Sequence, residues 1–183
     1  MVTTIALVLA AGRGSRMQLD SPKQYADLCG KPVLRWSVET FLEHQHIDRV
    51  FVVYHPADRL LYENATAGLA LPNPISGGST RQESAKRGLE ALEIHNPDRV
   101  LIHDGARPFV KTSLINDLLD SLFNTNAVVP GLPIVDTLKR VIELRESAMY
   151  HNSVSEYVIE YVDEYIDGSD RIPPDCWEDE SYN

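Results

Sequence analysis

Short apolar runs alternate with helical patterns along this chain, and that alternation constrains the fold more than any other feature. The runs at Thr3–Leu9, Arg49–His55 and Arg99–His103 are rich in β-branched and other apolar residues. Such continuous apolar character is typical of strands that are buried on both faces, as in parallel sheets covered by helices. The alternation therefore predicts an α/β fold, with a mostly parallel sheet and helices on both faces.

The segments between these runs complete the predicted order of elements. A further strand is predicted at Ala127–Pro133, and the segment Pro72–Gly78 is rich in turn residues. The helical segments share a three-to-four-residue spacing of apolar side chains, and the first has proline in its opening turn. Helices are predicted at Pro32–His44, Asp58–Leu69, Ser79–Leu92 and Thr112–Phe123.

The charge distribution excludes one large class of function. The 183-residue chain has a formal net charge of −10, and residues 155–183 contain ten acidic residues and one basic residue, Arg171. Nucleic-acid binding requires a basic face, so we expect no nucleic-acid partner. A phosphorylated small molecule needs only a few local cations, and that class of ligand stays open.

The apolar runs are too short for a membrane-spanning protein. None approaches the roughly 20 residues that a helix needs to cross a bilayer, so no membrane partner is expected. Thr3–Ala11 has no basic segment before it and no cleavage region, so it is predicted as a strand rather than a signal peptide. The cysteines, Cys29 and Cys176, form neither a disulfide framework nor a metal-type spacing. These features predict a cytoplasmic location.

A glycine-rich loop directly follows the first predicted strand. Gly12 and Gly14 allow backbone N–H groups to approach phosphate oxygens, while Ala10 and Ala11 keep the adjoining wall thin. The spacing matches neither the dinucleotide-binding motif nor the Walker motif. Because open parallel sheets bind ligands at the carboxyl ends of their strands, this loop is a candidate phosphate site.

Two cations follow this loop closely. Arg16 lies just beyond it, and Lys23 follows in the segment Ser21–Tyr25. Two positive charges beside a glycine loop are suited to a triphosphate. The alternative is an ordinary turn between a strand and a loop, with two solvated cations.

A second candidate lies at the end of the predicted strand Arg99–His103. Asp104 follows that strand at once, in a position where a carboxylate can hold Mg²⁺ against phosphate oxygens. Arg107, in the same loop, could support it. The alternative is that Asp104 only caps the next turn.

Two further motifs are candidate sites for the base and for a second substrate. Gly77–Ser84 contains a glycine turn that opens a helix, whose free amides and hydroxyls could bind a base or an anion. The alternative there is an ordinary capped helix. In Asp136–Arg140, the hydroxyl of Thr137 beside Lys139 and Arg140 suits a phosphate-bearing second substrate. The alternative there is a solvated loop.

Together these motifs resemble the 2-C-methyl-D-erythritol 4-phosphate cytidylyltransferase family, in its order and at its spacing. The resemblance implies a Rossmann-like nucleotidyltransferase fold, Mg²⁺ dependence, homodimers and a role in non-mevalonate isoprenoid synthesis. Its substrates are CTP and a sugar-alcohol phosphate. The motifs are Leu-Ala-Ala-Gly-x-Gly-x-Arg-Met, Pro-Lys-Gln-Tyr, Gly-Gly-x-x-Arg-x-x-Ser, His-Asp-Gly-Ala-Arg-Pro and Asp-Thr-Leu-Lys-Arg, from Leu9 to Arg140.

Matching positions assign roles by resemblance alone. Arg16 and Lys23 are the implied catalytic cations, and Asp104 is the implied metal ligand. Thr137 and Lys139 are the implied contacts with the sugar-alcohol phosphate. The implied nucleotide-binding residues are Ala10, Ala11, Gly12, Arg13, Gly14, Gly78, Ser79, Ser84 and Arg107.

The resemblance ends near residue 141, which divides the chain into a predicted CTP-binding domain at 1–141 and a divergent acidic tail at 142–183. In the tail, apolar residues recur from Val154 to Ile166 at helical spacing, after a capping box at Ser153–Glu156. We therefore predict an amphipathic helix there. The family's usual segments for acceptor binding are not found in the tail.

Three hypotheses follow for the function. The first is an active cytidylyltransferase for 2-C-methyl-D-erythritol 4-phosphate. The second is a cytidylyltransferase for another polyol phosphate, such as ribitol 5-phosphate. The third is a truncated, non-catalytic nucleotide-binding protein. The cations and the carboxylate favour the first two, whereas the missing acceptor segments favour the third.

Overall fold

The structure is a computed structural model that describes residues 2–13, 21–131, 139–143 and 157–161, the last two ranges by their backbone. The chain divides into two compact units, Met1–Val128 and Val129–Asn183. The division predicted at residue 141 marks where the sequence stops resembling the family, and it stays a prediction.

The first unit alternates strands and helices in the predicted order. The strands β1, β4 and β6 each have an apolar run of the sequence as their body, and each helix follows a strand or a turn. A two-stranded antiparallel pair, at Asp27–Leu28 and Lys31–Pro32, precedes the first helix. The strands are β1 (Thr4–Ala10), β2 (Asp27–Leu28), β3 (Lys31–Pro32), β4 (Arg49–Tyr54), β5 (Ile75–Ser76) and β6 (Arg99–Asp104), and the helices are α1 (Val33–Leu42), α2 (Arg59–Thr66), α3 (Arg81–Leu92) and α4 (Thr112–Ser121).

The main sheet is parallel, with the strand order β5-β4-β1-β6. All seven residues of β1 are buried, which confirms the prediction that this strand is covered on both faces. Alternate side chains point to opposite faces, because a strand has a period of two. Ala6 and Val8 pack in a cluster with residues of α1, α2 and α4, whereas Ile5 and Leu7 pack in another cluster with Leu92 of α3.

Helix α3 lies very close to the sheet at Gly88. A Cβ atom built there would lie 2.6 Å from Cδ2 of Leu7 and 3.0 Å from Cγ2 of Val53. Any larger residue would therefore push the helix away from the two central strands. Since α3 begins beside the carboxyl end of β5, this close contact helps to position its N-terminus at the sheet edge where ligands bind in such folds.

The second unit contains an antiparallel pair, β7 (Lys139–Glu143) and β8 (Tyr157–Tyr161). The predicted amphipathic helix is therefore wrong for Tyr157–Tyr161, and the rest of that helix lies outside the described residues. Tyr, Val and Ile favour extended backbone, and this preference decided the structure over the helical spacing of apolar residues. The predicted strand at Ala127–Pro133 is also wrong as far as residue 131, because Pro130 and Gly131 interrupt it and Val129 is 87% exposed.

No helix in the described part of the chain is long and apolar enough to cross a membrane.

Candidate active site

The predicted motifs of the first unit converge at one edge of the main sheet. In the strand register, Leu9 of β1 lies opposite Asp104 of β6, and Ala10 lies opposite Tyr54 of β4. Tyr54 in turn lies opposite Ser76 of β5. Because all four strands are parallel, their carboxyl ends meet here, and the loops that follow them surround a common space.

The side chain of Gln24 anchors the glycine-rich loop. Its amide Nε2 donates to the backbone oxygens of Ala10, at 2.7 Å, and Gly12, at 2.8 Å. Gln24 and Ala10 are each only 2% exposed, so the first of these hydrogen bonds satisfies a carbonyl group that water reaches poorly, whereas Gly12 is exposed. The two hydrogen bonds also fix the adjacent Lys23, which is exposed at the start of a 3₁₀ turn, next to the loop.

Arg13 links the same loop to the end of β4. Its Nη1 lies 3.5 Å from Oδ1 of Asp58 and 3.4 Å from Nδ1 of His55. Asp58 is 5% exposed, and its Oδ2 has no hydrogen-bond partner among the described residues. Burial, followed by the nearby Asp58 carboxylate, raises the pKa of Tyr25. Tyr25 therefore stays protonated, and it supplies no base for chemistry at ordinary pH.

The glycine turn before α3 allows another close approach. A Cβ atom at Gly77 would overlap the Cβ of Ala11, so the loops after β1 and β5 can meet only if residue 77 is glycine. The Gly77 backbone N–H donates to the oxygen of Tyr54 at 2.8 Å. The N–H of Gly78 donates to the buried hydroxyl of Ser84 at 3.0 Å. Gly78 and Ser84 thus shape the turn between β5 and α3.

Helix α3 has a capped N-terminus. The Thr80 hydroxyl accepts from the N–H of Glu83 at 3.0 Å. The Glu83 carboxylate accepts from both the backbone N–H and the hydroxyl of Ser79, each at 2.8 Å. These hydrogen bonds, led by that of the Ser79 hydroxyl, lower the pKa of Glu83. Glu83 therefore already takes an N–H of the turn that an anion could otherwise use.

Asp104 lies between two guanidinium groups. Its Oδ1 accepts from Arg81 at 3.0 Å (Nε) and lies 2.9 Å from Arg81 Nη2. Its Oδ2 accepts from Arg107 Nε at 3.1 Å. The Asp104 side chain is 31% exposed, whereas those of Arg81 and Arg107 are 66% and 76% exposed. The structure thus places a partly buried carboxylate at the strand end, with both cations on its open side.

The loop after β6 is held by neutral groups beneath this carboxylate. The Ser37 hydroxyl of α1, which is fully buried, lies 3.3 Å from the oxygen of Gly105 and 3.2 Å from that of Arg107. His103 Nε2 lies 2.9 Å from the same Arg107 oxygen. Burial lowers the pKa of His103, which keeps the ring neutral near pH 7 and makes Nε2–H the donor. These contacts orient the backbone that carries Asp104.

The single carboxylate of Asp104 is compatible with a Mg²⁺ ion that also binds the substrate, but not with a metal whose ligands all come from the protein. Within residues 2–13 and 21–131, no three His, Cys, Asp or Glu side chains form a group that could hold a metal ion. Mg²⁺ is usually bound through one or two carboxylates together with phosphates of the substrate. Asp104 therefore fits an ion that enters with a nucleotide, provided that a guanidinium releases one of its oxygens.

The structure brings together most, but not all, of the predicted site residues. The strand ends, loops and first turn of α3 at the shared edge carry Ala10, Ala11, Gly12, Arg13, Lys23, Gly78, Ser79, Ser84, Asp104 and Arg107. Gly14, Arg16 and Thr137 lie outside the described residues. Lys139 belongs to β7, and only its backbone is described. The assigned roles of all these residues stay predictions.

Three further residues at this edge were not predicted from the sequence: Gln24, Ser37 and Arg81. Gln24 and Arg81 lie within the motifs Pro-Lys-Gln-Tyr and Gly-Gly-x-x-Arg-x-x-Ser, so the motifs did contain the signal. Their roles depend on partners 14 and 23 residues away along the chain, which only the fold identifies. Nothing in the local sequence around Ser37 distinguishes it from another helical serine.

A sequence model of 2-C-methyl-D-erythritol 4-phosphate cytidylyltransferase matches residues 4–148. The bifunctional enzyme IspD/IspF of Paramagnetospirillum magneticum is 49% identical over 140 residues, which are 76% of this chain and 36% of that protein. The enzyme of the same name from Rhodospirillum rubrum is 45% identical over 141 residues, 76% of this chain and 37% of that protein. The chain thus spans about a third of the length of these relatives.

Solved structures show the same fold. A 4-diphosphocytidyl-2C-methyl-D-erythritol synthase superposes with a TM-score of 0.65 and 28% identity, over 88% of this chain and 73% of that one. A synthase of that name from Anaerococcus prevotii superposes with a TM-score of 0.63 and 24% sequence identity, over 87% of this chain and 68% of that one. A CMP:2-keto-3-deoxy-manno-octonic acid synthetase complexed with CTP superposes with a TM-score of 0.55 and 18% sequence identity, over 69% of this chain and 49% of that one. The predicted Rossmann-like nucleotidyltransferase fold is confirmed.

Proposed function

The chain belongs to the 2-C-methyl-D-erythritol 4-phosphate cytidylyltransferase family, and we propose that it transfers a cytidylyl group from CTP to that sugar-alcohol phosphate with release of pyrophosphate. The observation that carries this proposal is the shared sheet edge. There the anchored glycine-rich loop follows β1, and the carboxylate of Asp104 lies at the end of the neighbouring strand β6. The exposed Lys23 lies next to the loop. Relatives that are 49% and 45% identical to this chain are named bifunctional enzyme IspD/IspF.

The reaction needs charge neutralisation more than it needs a base. A phosphate monoester has a second pKa near 6, so the acceptor oxygen is already anionic near pH 7. That oxygen attacks the α-phosphorus of CTP, a new phosphorus–oxygen bond forms, and the bond to the pyrophosphate leaving group breaks. The step therefore requires no general base, and Tyr25, which stays protonated, offers none.

The residues of this edge divide the remaining tasks. The loop at Gly12 presents backbone N–H groups to phosphate oxygens, and Lys23 supplies a cation where negative charge develops. Arg16, which lies outside the described residues, is proposed as the second cation. Asp104 is proposed to hold Mg²⁺, which, when bound, neutralises phosphate charge and orients the triphosphate. Thr137 and Lys139 are proposed to contact the acceptor.

Pyrophosphate release tests the proposal directly. The protein is incubated with CTP and Mg²⁺, together with 2-C-methyl-D-erythritol 4-phosphate or ribitol 5-phosphate, and the nucleotide product is identified. We expect release with the first acceptor. Product from ribitol 5-phosphate alone would establish the second hypothesis, and CTP binding without release from either acceptor would establish the third.

Lys23→Ala is the matched test of the site. Loss of one charge-stabilising donor lowers kcat by about a hundredfold, since such a donor contributes roughly 3 kcal/mol in the transition state. The control is Lys86→Ala, which removes the same charge from an exposed position on α3. Equal rates for the two variants would remove Lys23 from the reaction. The predicted homodimer and cytoplasmic location stay predictions, and sedimentation of the full chain checks the dimer.

A further inference from the structure

Arg81 makes an unusual contact for a residue in the first turn of a helix. From α3 it reaches across to the end of β6, where its Nε and Nη2 lie 3.0 Å and 2.9 Å from the same oxygen, Oδ1 of Asp104. The two residues are 23 positions apart and belong to elements that follow different strands. The contact therefore joins the N-terminus of α3 to the carboxyl end of β6 through a single carboxylate.

We propose that Arg81 competes with the divalent cation for Asp104, so that the metal binds well only when a triphosphate arrives to take the guanidinium. This inference rests on the proposed function, because it assumes that Asp104 is the metal ligand. Arg81 then acts as a positioning residue that keeps the carboxylate charge-balanced before the nucleotide binds. It also couples metal binding to nucleotide binding.

The number of acceptor sites on the carboxylate supports competition. An ionised carboxylate offers about four lone-pair sites, two on each oxygen. Two donor groups of Arg81 lie against Oδ1, and Arg107 occupies one site on Oδ2. A hard cation that needs a close oxygen ligand must displace one of these donors, and it must approach two positive charges to do so. Both effects weaken metal binding to the nucleotide-free protein.

Arg81 is better placed than Arg107 to leave the carboxylate. Arg107 is only three residues from Asp104, and its backbone oxygen is held by Ser37 and His103, so its position is tied to the loop itself. Arg81 comes from another element, and its side chain is 66% exposed. Its guanidinium can rotate away without any change in the backbone of either loop.

A triphosphate supplies the alternative partner. The anchored loop at Gly12 and the turn at Gly78 lie at the same sheet edge as Arg81. Phosphate oxygens accept two parallel N–H bonds from a guanidinium as readily as a carboxylate does. Once Arg81 turns to a phosphate, Asp104 has free lone pairs, and the phosphate charge attracts the metal to the same place.

The test measures metal binding without turnover. Mn²⁺ is titrated into the nucleotide-free full chain, and free Mn²⁺ is followed by electron paramagnetic resonance. Arg81→Met should tighten Mn²⁺ binding by about tenfold, because hydrogen bonds between charged groups change equilibrium constants by roughly that factor. Arg81→Lys keeps the charge but loses the forked donors, so an intermediate affinity is expected.

Lys86→Met is the matched control, since it removes one positive charge from the exposed face of the same helix. Equal Mn²⁺ affinities for Arg81→Met, Lys86→Met and the parent overturn the competition. A similar gain in both variants assigns the effect to net charge, which also overturns it. Melting temperatures of all variants are measured first, and Arg81→Lys serves in place of any Arg81→Met protein that does not fold.

A second titration separates this inference from the proposed function. Mn²⁺ is titrated in the presence of CTP into the parent and into Asp104→Asn. Suppose that Asp104→Asn loses Mn²⁺ binding in the presence of CTP, but Arg81→Met gains no Mn²⁺ affinity in the nucleotide-free titration. Asp104 then remains the metal ligand, and only the competition is overturned. Tighter binding in Arg81→Met, without pyrophosphate release from any acceptor, supports the competition and overturns the proposed transfer instead.

Discussion

The loop after β1 and the carboxylate after β6 reach the same sheet edge but are held by opposite kinds of contact. The loop is fixed by Gln24, a neutral side chain that is 2% exposed. The Asp104 carboxylate is held by Arg81 and Arg107, both charged and mostly exposed. Buried neutral hydrogen bonds contribute to stability because water cannot replace them, whereas exposed ion pairs contribute little.

This difference separates the scaffold of the site from its reactive groups. The scaffold must keep its shape when a ligand enters, so its polar contacts are buried. The reactive groups must change partners, so their contacts are exposed and exchangeable. We therefore expect substitutions at Gln24 to change stability first, and substitutions at Asp104 to change ligand binding and turnover first.

Gln24→Ala should have the largest effect on stability, about 1–3 kcal/mol lost from the free energy of unfolding. It removes a donor from the buried carbonyl group of Ala10, and a buried unpaired group costs about 1–3 kcal/mol, whereas the carbonyl group of the exposed Gly12 can bind water instead. Urea denaturation measures the loss. The control is Gln45→Ala, an exposed glutamine for which a change within about 0.5 kcal/mol is expected. Similar values for the two variants would contradict the anchoring role of Gln24.

Asp104→Asn should show the reverse pattern. Loss of the carboxylate weakens a mostly exposed ion cluster, so the free energy of unfolding should change by less than about 1 kcal/mol. The value of kcat/KM should fall by about a hundredfold or more, which corresponds to roughly 2.7 kcal/mol in the transition state. Steady-state pyrophosphate release at several Mg²⁺ concentrations checks this expectation. Unchanged kcat/KM together with a large loss of stability would reverse the comparison.

Ser37→Ala should have an intermediate effect on stability, because it removes the buried hydroxyl of α1 that contacts the loop after β6. Stability should fall by about 1 kcal/mol, the typical net contribution of one hydrogen bond. If the hydroxyl also orients Asp104, the KM for Mg–CTP should rise while kcat changes little. Ser121→Ala, at an exposed hydroxyl of α4, is the control. A change of stability equal to that of the control would show that the loop does not depend on Ser37.

Glu83→Gln should have the smallest effect, and that effect should depend on pH. The folded pKa of Glu83 is lowered below the ordinary value of 4.5, first by the hydrogen bond from Ser79. The carboxylate therefore stabilises the fold above about pH 4.5, and this contribution is lost as the pH falls through the lower, folded pKa. Melting temperatures of the parent and the variant should differ slightly at pH 7 and converge as the pH falls below the folded pKa of Glu83. A constant difference across that range would exclude the ionised carboxylate as its cause.

Local sequence determined the strands β1, β4 and β6 and the four helices of the first unit, but not the short strands β2, β3 and β5. The apolar runs of β1, β4 and β6 predicted a parallel sheet, and strand propensity and periodicity act on neighbouring residues, so one sequence sufficed. The same reasoning was wrong for Tyr157–Tyr161, where helical spacing coexists with residues that prefer extended backbone. There the pairing with Lys139–Glu143 is a long-range contact that no local pattern contains.

The candidate site also has features that the sequence predicted and features that only the tertiary structure decided. Asp104, Lys23 and the glycines were predicted because their chemistry lies in short motifs next to strand ends. Only the tertiary structure decided that Gln24 turns back to two carbonyl groups and that Arg81 reaches Asp104 rather than solvent. A side chain's partner depends on which strands become neighbours, and that choice is made by packing over the whole sheet. The sequence by itself therefore determined which groups could act, and the fold decided what holds each one.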